Sequence, residues 1–126
     1  MSKLTPWRTP FESERFPSIW VTCEGDLDRT SVFVGWPAQW QVKFEHIVGL
    51  KVSNETYDNN RRFWVDGNLD AICTYTWLES PWLTDFNAEY LEAMTDSLLT
   101  HYVFLGGDYN VEVLAHGKID VTNALQ

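Results

Sequence analysis

Residues 71–100 read AICTYTWLESPWLTDFNAEYLEAMTDSLLT, and the hydrophobic period changes within this stretch. Over 71–79 the side chains fall into two alternating sets, Ala-Cys-Tyr-Trp and Ile-Thr-Thr-Leu, and a period of two is typical of a β-strand. From Phe86 onward the apolar residues recur at every fourth position, which is the spacing of one face of a helix. A strand followed directly by a helix predicts a fold that contains both elements.

The start of this helix has a sequence signal of its own. Ser80 is a favourable N-cap residue, and Pro81 suits the first helical position. Thr84 or Asp85 offers an alternative start. The apolar residues that recur on one helix face are Phe86, Tyr90, Met94 and Leu98. The pattern predicts a helix over about 81–100.

Further strand-like segments lie on both sides of this unit. They are rich in β-branched and aromatic residues and are bounded by turn residues: 19–24, 31–36, 43–52, 61–65, 101–105 and 111–116. The dipeptide Asp66-Gly67 and the segment Gly106–Asn110 suit the turns of two hairpins. Residues 1–17 contain three of the five prolines with aromatic residues between them, which favours an extended N-terminal arm.

Together these segments predict one α+β domain over residues 1–126. A chain of 126 residues can bury about two thirds of its surface, which is enough for a hydrophobic core. We expect an antiparallel, meandering sheet of six or seven strands. The helix should pack on one face of this sheet and lie between the fifth and sixth strands.

The segment 43–52 contains a candidate residue for a small-molecule site. Its alternation puts His46 on the same apolar face as Phe44, as in a half-buried strand. One functional hypothesis is therefore a small-molecule-binding or enzymatic domain. Its aromatic pocket would lie in the concavity of the sheet and be lined by His46, Tyr75 and Trp77.

Charge is distributed unevenly along the chain, whose formal net charge is -9. Residues 1–62 hold equal numbers of basic and acidic residues, whereas residues 63–117 hold nine acidic residues and no Lys or Arg. Nucleic-acid binding relies on Lys and Arg that neutralise phosphates, so we expect no nucleic-acid partner.

The N-terminal residues carry no secretory signal, and no apolar run is long enough to cross a bilayer. We therefore expect a cytoplasmic protein that has no membrane partner.

The predicted helix carries an acidic stripe, formed by Asp85, Glu89, Glu92 and Asp96, with Trp82 beside it. Residues at these spacings share one flank of a helix, and no Lys or Arg in the helix offsets them. A solvated helix face is the simplest interpretation. The functional interpretation is a docking surface for a basic protein partner, since opposite charges steer association.

In its small size, its acidity and its anionic helix the chain resembles bacterial immunity proteins that block basic toxins, although it shares no motif with them. This resemblance in character implies a non-catalytic module that occludes its partner.

No sequence motif predicts a catalytic residue, a metal site or a cofactor. His101, His116 and Glu112 form a constellation that could act as an acid and base pair or bind a metal. A spatial triad of Cys23 or Cys73 with a distant histidine is an alternative. A two-residue turn in the last hairpin would put the two histidines on one face of the sheet, whereas a five-residue loop would put them on opposite faces.

Two residue types leave questions open. Cys23 and Cys73 lack the spacing of a redox or zinc motif, and we expect both to be buried free thiols.

The chain has seven Trp, five Tyr and seven Phe residues, more than a half-buried sheet requires. Trp36 and Trp40 flank a proline and lie either in the core or at the surface. Surplus rings at a self-interface would indicate a homo-oligomer.

Overall fold

The computed structural model of the chain describes residues 3–14, 17–35, 39–54, 73–90 and 99–123. Within these ranges the chain forms seven strands and one α-helix. The elements are β1 (Lys3–Pro6), β2 (Ile19–Cys23), β3 (Thr30–Val34), β4 (Trp40–Asn54), β5 (Thr74–Leu78), α1 (Pro81–Tyr90), β6 (Thr100–Leu105) and β7 (Tyr109–Asn123). A short 3-10 helix, Leu27–Arg29, connects β2 to β3.

All seven strands belong to one antiparallel sheet in the order β1-β5-β6-β7-β4-β3-β2. This confirms the prediction of a sheet-dominated α+β fold. The chain meanders through β2, β3 and β4 and again through β5, β6 and β7. The two meanders are joined side by side through β4 and β7, which are 15 residues each, and β1 pairs with β5 at one edge.

Among the described residues, helix α1 follows β5 and precedes β6, whereas β1 lies in the predicted N-terminal arm. The structure describes this helix as far as Tyr90, and Thr100, near which the helix is predicted to end, already begins β6. Residues 91–98 lie outside the described residues, as do the predicted strand 61–65 and the hairpin turn that follows it. No helix in the described part of the chain combines the length and the apolar character needed to span a membrane.

The sheet curls around one of its faces, which we call the concave face. Although three strands separate β2 from β6, the Gly107 N–H donates to the carbonyl of Pro17 at 2.9 Å, so the start of β2 meets the β6–β7 turn. Large apolar side chains fill the concave face: Phe11, Ile19, Val32, Val34, Val42, Phe44, Ile47, Phe104, Val111 and Val113. We call the opposite side of the sheet the outer face.

The residues that follow β1 close the core on the concave face. The Trp7 ring lies 5.4 Å from the Phe104 ring, and the Phe11 ring lies 6.2 Å from the Trp40 ring. Packed aromatic pairs of this kind add to the free energy gained by burying the rings. Trp40 therefore contributes to the core, while Trp36 lies outside the described residues.

Strand β4 does not keep the simple alternation that its sequence suggests. Its register against β7 shifts between Phe44 and His46 and again between Ile47 and Gly49. Phe44 is buried on the concave face, whereas the side chain of His46 is 50% exposed. The prediction that His46 lies on the apolar face is therefore wrong. The β-bulge between Phe44 and His46 interrupts the alternation of β4, and this turns the His46 side chain to the outer face.

The two cysteines also differ from each other, although the sequence predicts that both are buried. Cys73 is buried and donates to the carbonyl of Phe11 at 3.3 Å, while Cys23 is exposed. Burial, followed by the negative charge of Glu14, raises the pKa of the Cys73 thiol to about 12. The thiolate is the reactive form of cysteine, so Cys73 should be inert in the folded protein.

We predict that the folded protein has one rapidly reacting thiol at mildly alkaline pH and that the unfolded protein has two. The measurement is the time course of thiol labelling followed by mass spectrometry. Cys23→Ser should abolish the rapid phase and Cys73→Ser should leave it unchanged. Rapid labelling of Cys73 in the folded protein would contradict this assignment.

Candidate functional site

Three buried polar side chains meet beneath the start of α1. The Oγ atom of Ser80 lies 2.5 Å from Nδ1 of His101, and Nε2 of His101 lies 2.9 Å from Oε1 of Glu112. Their exposed fractions are 0%, 1% and 1%. We call Ser80, His101 and Glu112 the buried polar chain.

In the buried polar chain, each group can donate a hydrogen bond to the next one, from Ser80 to Glu112. The Leu83 N–H donates to Oγ of Ser80 at 3.1 Å. The Ser80 hydroxyl can then donate to Nδ1 of His101, whose Nε2–H can donate to the carboxylate of Glu112. A buried polar group that loses its partner costs about 1–3 kcal/mol, so the arrangement is favourable only when it is complete.

The register of the last hairpin brings His101 and Glu112 together. His101 lies opposite Leu114, and Glu112 lies opposite Val103. Residues two apart on a strand share a face, so both polar side chains point to the outer face. This register is the one that a two-residue turn implies.

Ser80 belongs to the connection between β5 and α1 and joins the buried polar chain from there. Glu79 has a φ of 54°, in the left-handed region, and this turns the backbone sharply into the helix. Ser80 then caps α1 through Leu83, as its sequence position predicts. The same hydroxyl therefore fixes the first turn of the helix and its contact with the sheet.

A hydroxyl, an imidazole and a carboxylate in this order are also the components of a hydrolytic triad. Two features favour an anchoring role here. The Ser80 hydroxyl is fully buried, and it already accepts the Leu83 N–H. In addition, the residue after Ser80 is Pro81, which has no N–H to stabilise an oxyanion. The geometry supports attachment of α1 to the sheet more than nucleophilic attack.

Trp82 covers the buried polar chain from the side of the helix. Its ring lies edge-on to His101, with the centroids 5.2 Å apart. A Cβ atom on Gly49 would come within 2.6 Å of Cζ2 of Trp82, so the indole fits only because position 49 is glycine. The Lys51 ammonium lies 4.2 Å from the centroid of the Trp82 ring, in a cation–π arrangement.

Lys51 also faces Glu112 across the β4–β7 ladder. Trp82, which the sequence places with the partner-binding residues, is half-buried in this arrangement and packs against the sheet.

His101 and His116 contact different groups although they share the outer face. His116 stacks on His46, with the ring centroids 4.8 Å apart. Nδ1 of His46 lies 3.9 Å from Oδ2 of Asp28, and Nε2 of His46 lies 3.5 Å from Oε1 of Glu45. This second cluster is half-exposed at the β4 bulge. Within the described residues, no group of three or more His, Cys, Asp or Glu side chains is arranged to hold a metal ion.

The other two residues of the predicted pocket lie elsewhere on the outer face. Tyr75 and Trp77 are buried with Val103 and Leu105 in a second apolar cluster. His46 lies in the exposed cluster at the bulge instead. The sequence placed all three in the concavity of the sheet, but large apolar side chains fill that face.

The structure describes part of the acidic stripe. Asp85 is exposed on α1, and Glu89 lies one helical turn further along the same helix. Glu92 and Asp96 lie outside the described residues. Two of the four acidic positions are therefore placed on a helix that is fixed at its base.

Comparison of the chain with models of known protein families, with curated proteins and with solved structures finds no significant match.

The packing of Trp82 on Gly49 yields a stability prediction. Gly49→Ala should displace the indole and cost about 1–3 kcal/mol of unfolding free energy, which is typical of overpacking. In a Trp82→Ala background the same substitution should cost much less, because the three nearest atoms to the added methyl group all belong to the indole. Denaturant unfolding of the four proteins measures this coupling, and equal costs in both backgrounds would contradict the packing.

Proposed function

We propose that this protein is a small cytoplasmic binding module that docks on a basic protein partner and occludes it through the acidic stripe, which begins with Asp85 and Glu89 on α1. The observation that carries the proposal is the exposed Asp85 on a helix whose base is anchored by the buried polar chain. A fixed helix presents its carboxylates in one geometry, which lowers the entropic cost of binding.

The electrostatic character of the region supports the same function. Residues 63–117 carry nine acidic residues without a Lys or Arg of their own. Such a field attracts a cationic surface and raises the rate of association. Screening acts over about 8 Å at physiological ionic strength, so binding should weaken as salt is added.

A small-molecule site has less support. The concave face, where a pocket was expected, is filled by side chains such as Phe11 and Phe104. Tyr75 and Trp77 are buried, with exposed fractions of 2% and 7%. An immunity-like binding role therefore remains our proposal. The resemblance to bacterial immunity proteins in acidity and size also favours it.

The test reverses charge on the helix. The double variant Asp85→Lys/Glu89→Lys should lose basic proteins that the immobilised wild-type chain retains from a lysate of the native host, because repulsion replaces attraction. The retained proteins should also dissociate as ionic strength rises. Quantitative mass spectrometry of the bound fraction provides the measurement.

The matched control is Glu24→Lys/Asp108→Lys, which changes the net charge by the same amount at two exposed positions away from α1. It should retain the partner. Equal losses with both variants would indicate a non-specific charge effect, and equal retention by the helix variant would refute the proposal.

A further inference from the structure

The indole ring of Trp82 already holds a cation that belongs to the same chain. Nζ of Lys51 lies 4.2 Å from the centroid of this ring. The indole is fixed by its other contacts, since its six-membered ring lies against Gly49 and its plane is edge-on to His101. Trp82 therefore offers a cation-binding ring in one orientation, at the start of α1.

Lys51 is a weakly held occupant of this ring. Its side chain is exposed, and within the described residues its ammonium makes no hydrogen bond or ion pair in addition to the cation–π contact. A cation–π contact at an exposed position is weak, and it restricts a long side chain that has many rotamers. A cation from another molecule can therefore replace Lys51 if it makes a further contact beside the ring.

Asp85 can supply this further contact. It follows Trp82 by three residues on α1, and Cβ atoms at this spacing lie about 5–6 Å apart on one side of a helix. Asp85 is exposed, and in the described part of the chain no ion pair joins it to Lys51. A ring and a carboxylate side by side form a site for a cation that can contact both.

We propose that Trp82 and Asp85 bind an arginine side chain of the basic partner, at the place that Lys51 occupies in the free protein. This inference rests on the proposed docking function and names the partner residue that α1 recognises. A guanidinium is planar, so it can lie on the indole and also donate hydrogen bonds to a carboxylate. Lys51 is then an autoinhibitory contact that the partner displaces.

The direct test is a nuclear magnetic resonance titration of the full wild-type chain with a synthetic hexa-arginine peptide. The free protein should show a nuclear Overhauser cross-peak between the Lys51 side chain and the Trp82 ring. This cross-peak should disappear at saturation and be replaced by one between the ring and the arginine methylenes. A hexalysine peptide should bind at least threefold more weakly, because an ammonium lacks the planar shape that fits both groups.

A substitution at Lys51 measures the competition. Lys51→Met removes the ammonium and keeps an unbranched side chain, so the affinity for hexa-arginine should rise. The matched control is Lys43→Met, which removes the same charge from an exposed position on β4 about 25 Å away. Lys51→Met should bind hexa-arginine about threefold more tightly than Lys43→Met does.

Three results would overturn the proposal: a Lys51–Trp82 cross-peak that persists at saturation, equal affinities of the two methionine variants, or equal binding of the two peptides. None of them would refute the docking function, because the lysate test of Asp85→Lys/Glu89→Lys does not involve Lys51. Conversely, unchanged retention by that helix variant, together with displacement of Lys51 by hexa-arginine, would refute the docking function alone.

Discussion

The buried polar chain of Ser80, His101 and Glu112 controls how the helix meets the sheet. One hydroxyl caps the first turn of α1 and also bonds the imidazole, while the carboxylate bonds the other side of that ring. Each of these groups is buried, and each contributes a hydrogen bond to the connection between the helix and the sheet. The first turn of the helix is thereby tied to one position on β6 and β7.

The two faces of the sheet differ in the side chains that cover them. The concave face is apolar and filled, so it supplies most of the hydrophobic stabilisation. On the outer face, Trp82 rests on Gly49 and carries the ammonium of Lys51. Beyond this contact the helix directs Asp85 into solvent. Anchoring and exposure on one short helix support our proposal that α1 docks on a protein partner.

Much of the fold could be predicted from the period of the sequence, because alternation and helical spacing are local signals. The strand 74–78, the N-cap at Ser80 and the final hairpin are examples. The position of His46 could not be predicted, because a bulge shifts the register without a mark in the local pattern. The buried polar chain was also missed as a unit, since it joins residues from three elements. Its one available signal was His101 with Glu112 on neighbouring strands.

The buried polar chain should hold α1 in place on the sheet. Amide hydrogen exchange of Ser80→Ala tests it, with Thr84→Ala, an exposed hydroxyl on the same helix, as the control. We expect the α1 amides of Ser80→Ala to exchange at least tenfold faster, while the β4–β7 amides stay protected, because only the helix opens locally. Unchanged exchange in α1, or a uniform increase over the whole sheet, would contradict the account.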